Sequence, residues 1–414
     1  MLPCPAVPIA RRSETLYDAV ALAMSTYASA AFRLRVLGPV QELGRSELVV
    51  ATHRAESDVP LICSAFYWHA GVRHRGGVKL HFAARDDMFE RGFFAGFPAR
   101  LPIAARRLLY PLDAGPYLPL VRVLPLPYPS PERLRLGRAV GALDPATPLE
   151  GVVPADALAC LQRRAREQGR GEPRSAGDVL HGDYADLLWR DFDREALAAP
   201  ALDAVWSRRR EEAVAALRAL VDLVRSGEPV LFFPEGRPSP DGAIGPLRQG
   251  VELLVRRGRP AWIVPVGLAY DRFTRGRPRA CLTIGEPFRT PADDVEGAML
   301  RALRLAVPLT CGQVVCAALV EAAGAGDRAV SLSALASRLA GAVEAASAER
   351  RRFEPELQSE RVRRDRLDDC VGALVRAGVV EPAGRRSLAL EPPAVLAGAQ
   401  VLATAREHES ARGR

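Results

Sequence analysis

The chain has 414 residues, 48% hydrophobic and 26% charged, the balance of a folded globular protein rather than a disordered or fibrous one. Its formal net charge is +8, carried almost wholly by arginine since Lys79 is the single lysine, and such a surface suits phosphate-bearing substrates, anionic membranes or nucleic acid. Seven scattered cysteines without paired spacing argue against a disulfide framework or a zinc site. No apolar run reaches the ~20 residues of a spanning helix, and the N-terminus lacks the order of a signal peptide, so a cytoplasmic protein of two or three domains is expected.

Residues 13–31 have helical spacing with Ser13 as N-cap. Phe32–Leu37 alternates apolar and basic residues, as a half-buried strand does. Leu48–Ala51 is a short apolar run, a buried strand that ends just before His53. Val59–Ile62 is apolar again, with Pro60 where a first helical turn tolerates it. His53 therefore sits at a strand end and Asp58 near a helix start. Strand ends of α/β sheets are where ligand sites lie. A histidine can take a proton from a hydroxyl, and a carboxylate on its other ring nitrogen fixes the tautomer. On one helix, positions five apart differ by about 140°. The two meet only if His53 lies before the helix and folds back; the bland alternative is a capping Asp beside a loop histidine.

Val78–Phe82 alternates and predicts the next strand, and the aromatic stretch Met88–Phe97 predicts core packing. His69, His74 and His81 have no acidic or cysteine partner at ligand spacing, so no metal is expected. Leu118–Pro125 is a Pro-bounded run holding Arg122, an edge strand. The pattern weakens over residues 143–201, where 163–177 reads as a solvated loop or a fraying helix end and His181–Asp183 as a polar surface loop. Residues 208–225 form an amphipathic helix stopped by Gly227. Pro229–Phe233 is a buried strand that runs into the turn Pro234-Glu235-Gly236; a helix over 247–257 and a strand over Ala261–Leu268 follow, then Cys281–Ile284. This is the βαβ rhythm of an α/β domain. Beyond Met299 come Ala/Leu-rich helices, a polar stretch over 348–366, a helix over 367–377 and a small hairpin around Ala383-Gly384, together a winged-helix-like module.

His53-Arg54-Ala55-Glu56-Ser57-Asp58 matches the H-x4-D motif of the glycerophosphate and lysophosphatidate acyltransferases. Phe233-Pro234-Glu235-Gly236, with Ser239 three residues on, resembles that family's F-P-E-G-T-R-S motif, and Ile263–Val266 its V-P-V strand. Three motifs in order, each at a predicted strand, are hard to obtain by chance. The resemblance covers about residues 13–295, with an insertion at about 143–201. It implies an α/β fold with a mixed sheet flanked by helices, followed by a helical accessory module over 299–414. It implies an O-acyltransferase of phospholipid synthesis, peripheral on the inner face of the membrane. The donor would be an acyl thioester, acyl-CoA or acyl-carrier protein, and the acceptor glycerol 3-phosphate or 1-acylglycerol 3-phosphate, with no cofactor and no metal.

By resemblance His53 is the general base and Asp58 its partner, and no nucleophile elbow adjoins them. Glu235, Gly236 and Ser239 fall at the acceptor site. Where the family has Thr-Arg after the glycine, this chain has Arg237-Pro238, so a guanidinium for phosphate stands one position early. The family's strand ending in Arg is indistinct; Arg122 is the candidate, with Arg133 next. The tail and the His53-Arg54 pair resemble the longer glycerol-3-phosphate enzymes, Phe233-Pro234 the shorter lysophosphatidate ones. Two other readings stand beside this one: a DNA-binding regulator using the C-terminal module, and a catalytically idle lipid-binding relative. The lipid reading expects no nucleic acid partner.

Overall fold

In a computed structural model of the chain, the residues described are 12–38, 47–70, 78–89, 92–93, 102–127, 133–188, 191–193, 199–236, 238–239, 244–289, 293–384 and 387–390. They divide into two compact units. One comprises residues 18–80 and 221–414; the other comprises residues 81–220 with the stretch up to Tyr17.

The first unit is built on strands in the order β1-β9-β8-β2-β7. These are β1 (Arg33–Leu37), β2 (Glu47–Ala51), β7 (Val230–Phe232), β8 (Trp262–Asp271) and β9 (Arg279–Ile284). β2 lies parallel to both neighbours, with Val50 opposite Phe232 and Ala51 opposite Val266. β9 is antiparallel to β8 and parallel to β1, so the sheet is mixed, as the resemblance implies. Leu48, Val49, Val50, Leu231, Val264 and Val266 are all buried. Strands that bury both faces need such continuous apolar runs, and helices must cover them. The helices here are α1 (Glu14–Ala31) from Asp18 onward, α2 (Asp58–Ser64), α8 (Gln249–Gly258) and α9 (Val295–Ala306). α1 starts from Ser13, whose Oγ accepts from Leu16 N at 3.2 Å. α9 reaches β8 at Gly267, where a Cβ would stand 2.2 Å from the Ala306 carbonyl. Only a glycine admits backbone that close.

The same unit continues through α10 (Cys311–Gly324), β10 (Ala329–Ser331), α11 (Leu332–Ala348), α12 (Glu360–Arg376), β11 (Val380–Pro382) and β12 (Ser387–Leu390). The three strands pair antiparallel in the order β10-β12-β11. Leu319, Leu335, Leu339, Cys370, Leu374 and Leu388 make a core of their own. Charge ties this part to the large sheet. Arg366 is 2% exposed and donates to Asp271 at 2.5 Å, Glu354 at 2.8 Å and the Phe273 carbonyl at 2.9 Å. Glu354 also accepts from Arg279 at 2.6 Å and from Cys311 N at 3.2 Å, and Asp271 from Gly312 N at 2.8 Å. Through these contacts the described residues beyond 299 are tied to β8 and β9.

The second unit holds a parallel pair, β3 (His81–Arg85) and β4 (Val123–Leu126), and an antiparallel pair, β5 (Arg133–Arg135) and β6 (Asp191–Asp193). Its helices are α3 (Ile103–Leu109), α4 (Leu136–Gly141), α5 (Ala155–Glu167) and α6 (Ala185–Leu188); α7 (Ala199–Arg225) begins here. Two expectations are corrected. Leu118–Val121 is a 3-10 turn rather than strand, since Pro119 lacks an N–H but fits a first helical turn; Arg122 follows at φ 64°, and the strand begins only at Val123. Residues 143–188 are ordered around Leu149, Leu161, Ala165, Val179 and Tyr184, all buried. Within this part α5 packs Leu161 and Ala165 inward, and its Arg164 makes a bidentate pair with Asp186, at 2.7 and 2.9 Å. After it, Ser175 and Asp178 form a capping box. The aromatic stretch at 88–97 lies largely outside the described residues. Among the described residues no helix is long and apolar enough to cross a membrane.

Candidate active site

β2 and β8 place the first two residues of the site. Thr52 N donates to the Val266 carbonyl at 3.0 Å, and the Thr52 hydroxyl accepts from Leu268 N at 3.1 Å. This carries the register one residue past β2 and leaves His53 at the strand end. The chain then runs without regular structure to Ala55, turns at Glu56 and Ser57, and α2 opens at Asp58. His53 therefore lies before the helix and folds back, with Nδ1 2.9 Å from Asp58 Oδ2. The same oxygen accepts from the backbone of Arg54 at 2.5 Å and of Ala55 at 2.9 Å. Asp58 is fully buried, while the His53 side chain is 14% exposed.

β7 brings the second carboxylate. Phe233 follows it, and its ring stacks on the His53 imidazole, centroids 4.3 Å apart. Glu235 is buried. Its Oε1 accepts from His53 N at 3.0 Å and its Oε2 from Gly245 N at 3.1 Å, so this carboxylate holds the backbone of the histidine. Burial pushes its carboxyl above the usual range; the two N–H donors and the nearby Arg54 and His53 charges pull it back only in part. Gly236 has φ +73°, the left-handed region, and a Cβ there would stand 3.2 Å from the Arg248 side chain. Ser239 reaches the site through its backbone, donating to the His53 carbonyl at 2.9 Å.

The structure thus brings His53, Asp58, Glu235, Gly236 and Ser239 together. Arg237 lies outside the described residues. Arg122 belongs to the other unit, where its guanidinium donates to Glu14 at 2.7 Å and sits over the Tyr17 ring. Arg133 is there too, in β5.

One residue of the site carries no sequence signal of its own. Tyr270, near the end of β8, donates its hydroxyl to Asp58 Oδ1 at 2.5 Å. In the sequence it follows an apolar run and reads as one more buried strand residue. The Phe32 ring packs against it at a centroid distance of 5.5 Å. Burial first, then the Asp58 charge and hydrogen bond, push its hydroxyl far above the ordinary phenol range. No cluster of metal-binding side chains occurs among the described residues.

Residues 190–269 match the acyltransferase family model. The matched stretch contains Phe233–Gly236 and Ile263–Val266 and stops one residue before Tyr270; His53 and Asp58 lie outside it. No curated protein sequence matches the chain. A similar solved structure is the crystal structure of the 1-acyl-sn-glycerophosphate (LPA) acyltransferase PlsC from Thermotoga maritima. It is 14% identical with a TM-score of 0.34, and covers 70% of this chain and 80% of that one. Over residues 190–269 the chain resembles the acyltransferases, and that resemblance supports acyl transfer as its activity.

Proposed function

We propose that the chain is an O-acyltransferase with His53 as general base. It would move an acyl chain from an acyl thioester, on coenzyme A or an acyl carrier protein, to a hydroxyl of glycerol 3-phosphate or 1-acylglycerol 3-phosphate. The observation that carries this reading is the His53 Nδ1 to Asp58 Oδ2 hydrogen bond at the end of β2. An ionised carboxylate only accepts, so Nδ1 holds the proton and Nε2 keeps its lone pair for substrate. Nε2 takes the acceptor's hydroxyl proton as that oxygen bonds to the thioester carbonyl carbon. The C–S bond then breaks, and the imidazolium returns the proton to the leaving thiolate. No acyl-enzyme forms. Asp58 stabilises the transient imidazolium, and Glu235 keeps the histidine backbone in place. Gly236 and Ser239 border the acceptor. By resemblance, Arg237 and Arg122 are the residues assigned its phosphate. The work would take place on the inner face of the membrane, where such lipids lie.

Product analysis tests the proposal. Purified protein is given acyl-CoA or acyl-carrier protein with each acceptor, and the acylated lipid is identified by mass. His53→Ala should lower kcat by about 10²–10⁴, the usual worth of a positioned base. Full turnover by a folded His53→Ala protein would remove the mechanism, and a folded wild type with no turnover would leave the idle relative. The C-terminal order helix, strand, helix, helix, strand, strand, with its three-stranded sheet, supports a winged-helix-like module. We assign it no role in reading DNA. The arginines of α12 alternate with Asp365, Asp368 and Asp369, and Arg366 turns inward. A shift of duplex DNA by the intact chain at physiological salt would reverse that.

A further inference from the structure

The last two residues of β8 serve opposite faces of the sheet. Successive strand residues point to opposite sides. Tyr270 turns to the His53–Asp58 pair, while Asp271 turns to Arg366, Gly312 N and Phe273 N. Both side chains end in short hydrogen bonds, so this strand end has little freedom. The Tyr270 ring is packed by Phe32, which follows α1, and its hydroxyl reaches the one Asp58 oxygen that His53 does not use.

We propose that Tyr270 is a positioning residue for the His53–Asp58 pair. It anchors Asp58 Oδ1, so that Oδ2 is presented to His53 Nδ1 in a fixed direction. This rests on the reading of His53 as general base. Without the hydroxyl, Asp58 keeps its contacts to the Arg54 and Ala55 backbone but loses the restraint on its rotation about the Cβ–Cγ bond. The imidazole then samples orientations that do not face the acceptor. Four nearby groups set the local field and stay in place: Arg54 and Glu235 beside the histidine, Tyr27 and Arg272 beside Tyr270. Tyr270 touches neither substrate in this scheme, so its effect falls on turnover and not on binding.

Tyr270→Phe keeps the ring and removes the donor. It should lower kcat about tenfold and leave the KM values of donor and acceptor near those of the wild type. A purely structural tyrosine would give normal turnover in the fraction that folds. A double-mutant cycle sharpens this: in an Asp58→Asn background, Tyr270→Phe should cost little more, because the group it holds is already altered. Additive losses would overturn the assignment. A spectroscopic arm is independent of activity. The Nδ1 proton of His53, assigned with His53→Gln, gives a downfield resonance that should broaden or move in Tyr270→Phe. An unmoved resonance together with unchanged kcat would refute the positioning role. A moved resonance in a protein that never turns over would support it and sink the acyl-transfer reading instead. Should the variant fail to fold, the wild type still decides. An Asp58-bound Tyr270 hydroxyl proton exchanges slowly and shows a cross-peak to the Phe32 ring; rapid exchange would mean that the anchor does not exist.

Discussion

Asp58 accepts from four donors, His53 Nδ1, two backbone N–H groups and the Tyr270 hydroxyl, whereas Glu235 accepts from two and is held where burial outweighs them. The folded state therefore binds a proton on Glu235 more readily than the unfolded chain does. Its contribution to stability is complete below the ordinary glutamate value of 4.5 and is lost as pH rises through the higher folded value. Glu235→Gln cannot titrate. Urea denaturation of both proteins from about pH 4 to about pH 8 should show the wild type losing ground to the variant as pH rises; a gap that moves the other way would mean that the N–H donors, not burial, govern the group. His53 and Asp58 were legible in the sequence because spacing and an apolar strand marked them. Tyr270 was not, since its partner is more than two hundred residues away and no local pattern encodes the pairing.

At the level of elements, β2, β7 and β8 were legible as short apolar runs, while the turn before β4 was hidden because Pro119 sits in an apolar run that reads as an edge strand. α1 shows what periodicity alone leaves open. Tyr17, Ala21, Ser25 and Ala28 form its buried stripe, the spacing of a helix packed on a core. Its outer side still carries Leu22 and Tyr27, 53% and 47% exposed, and Trp68 in the same unit is 41% exposed. Such side chains, with a net positive chain, favour attachment to an anionic interface. Co-sedimentation should be stronger with anionic than with neutral vesicles, weaker at high salt, and reduced by Leu22→Ser. A protein that stays in the supernatant throughout would leave α1 as a core helix only.

For the molecule as a whole, the tail matters through Arg366. Arg366→Met would leave Asp271 and Glu354 buried beside each other without their shared guanidinium, a loss of about 3–5 kcal/mol for breaking a buried pair. Chemical denaturation measures it; a change within ~0.5 kcal/mol would mean that water reaches the cluster. A chain ending at Glu296 loses more, because α9, Glu354, Arg366 and the Gly312 N–H all go with the tail while Asp271 stays. It should unfold at a lower temperature than the whole chain and lose its His53-dependent turnover with its fold. A truncated protein that melts and turns over like the parent would make the tail an independent appendage.

The Asp271–Glu354–Arg366 cluster also has a consequence for descent. Three charges drawn from β8, the segment before α12 and α12 itself must stay complementary, two carboxylates around one guanidinium, although 95 residues separate the first from the last. A recombination joint between positions 271 and 354 that took its two sides from different parents would inherit mismatched charge in a dry interior. Positions 271, 354 and 366 therefore form one unit of inheritance, and across homologues they should change as a set or not at all.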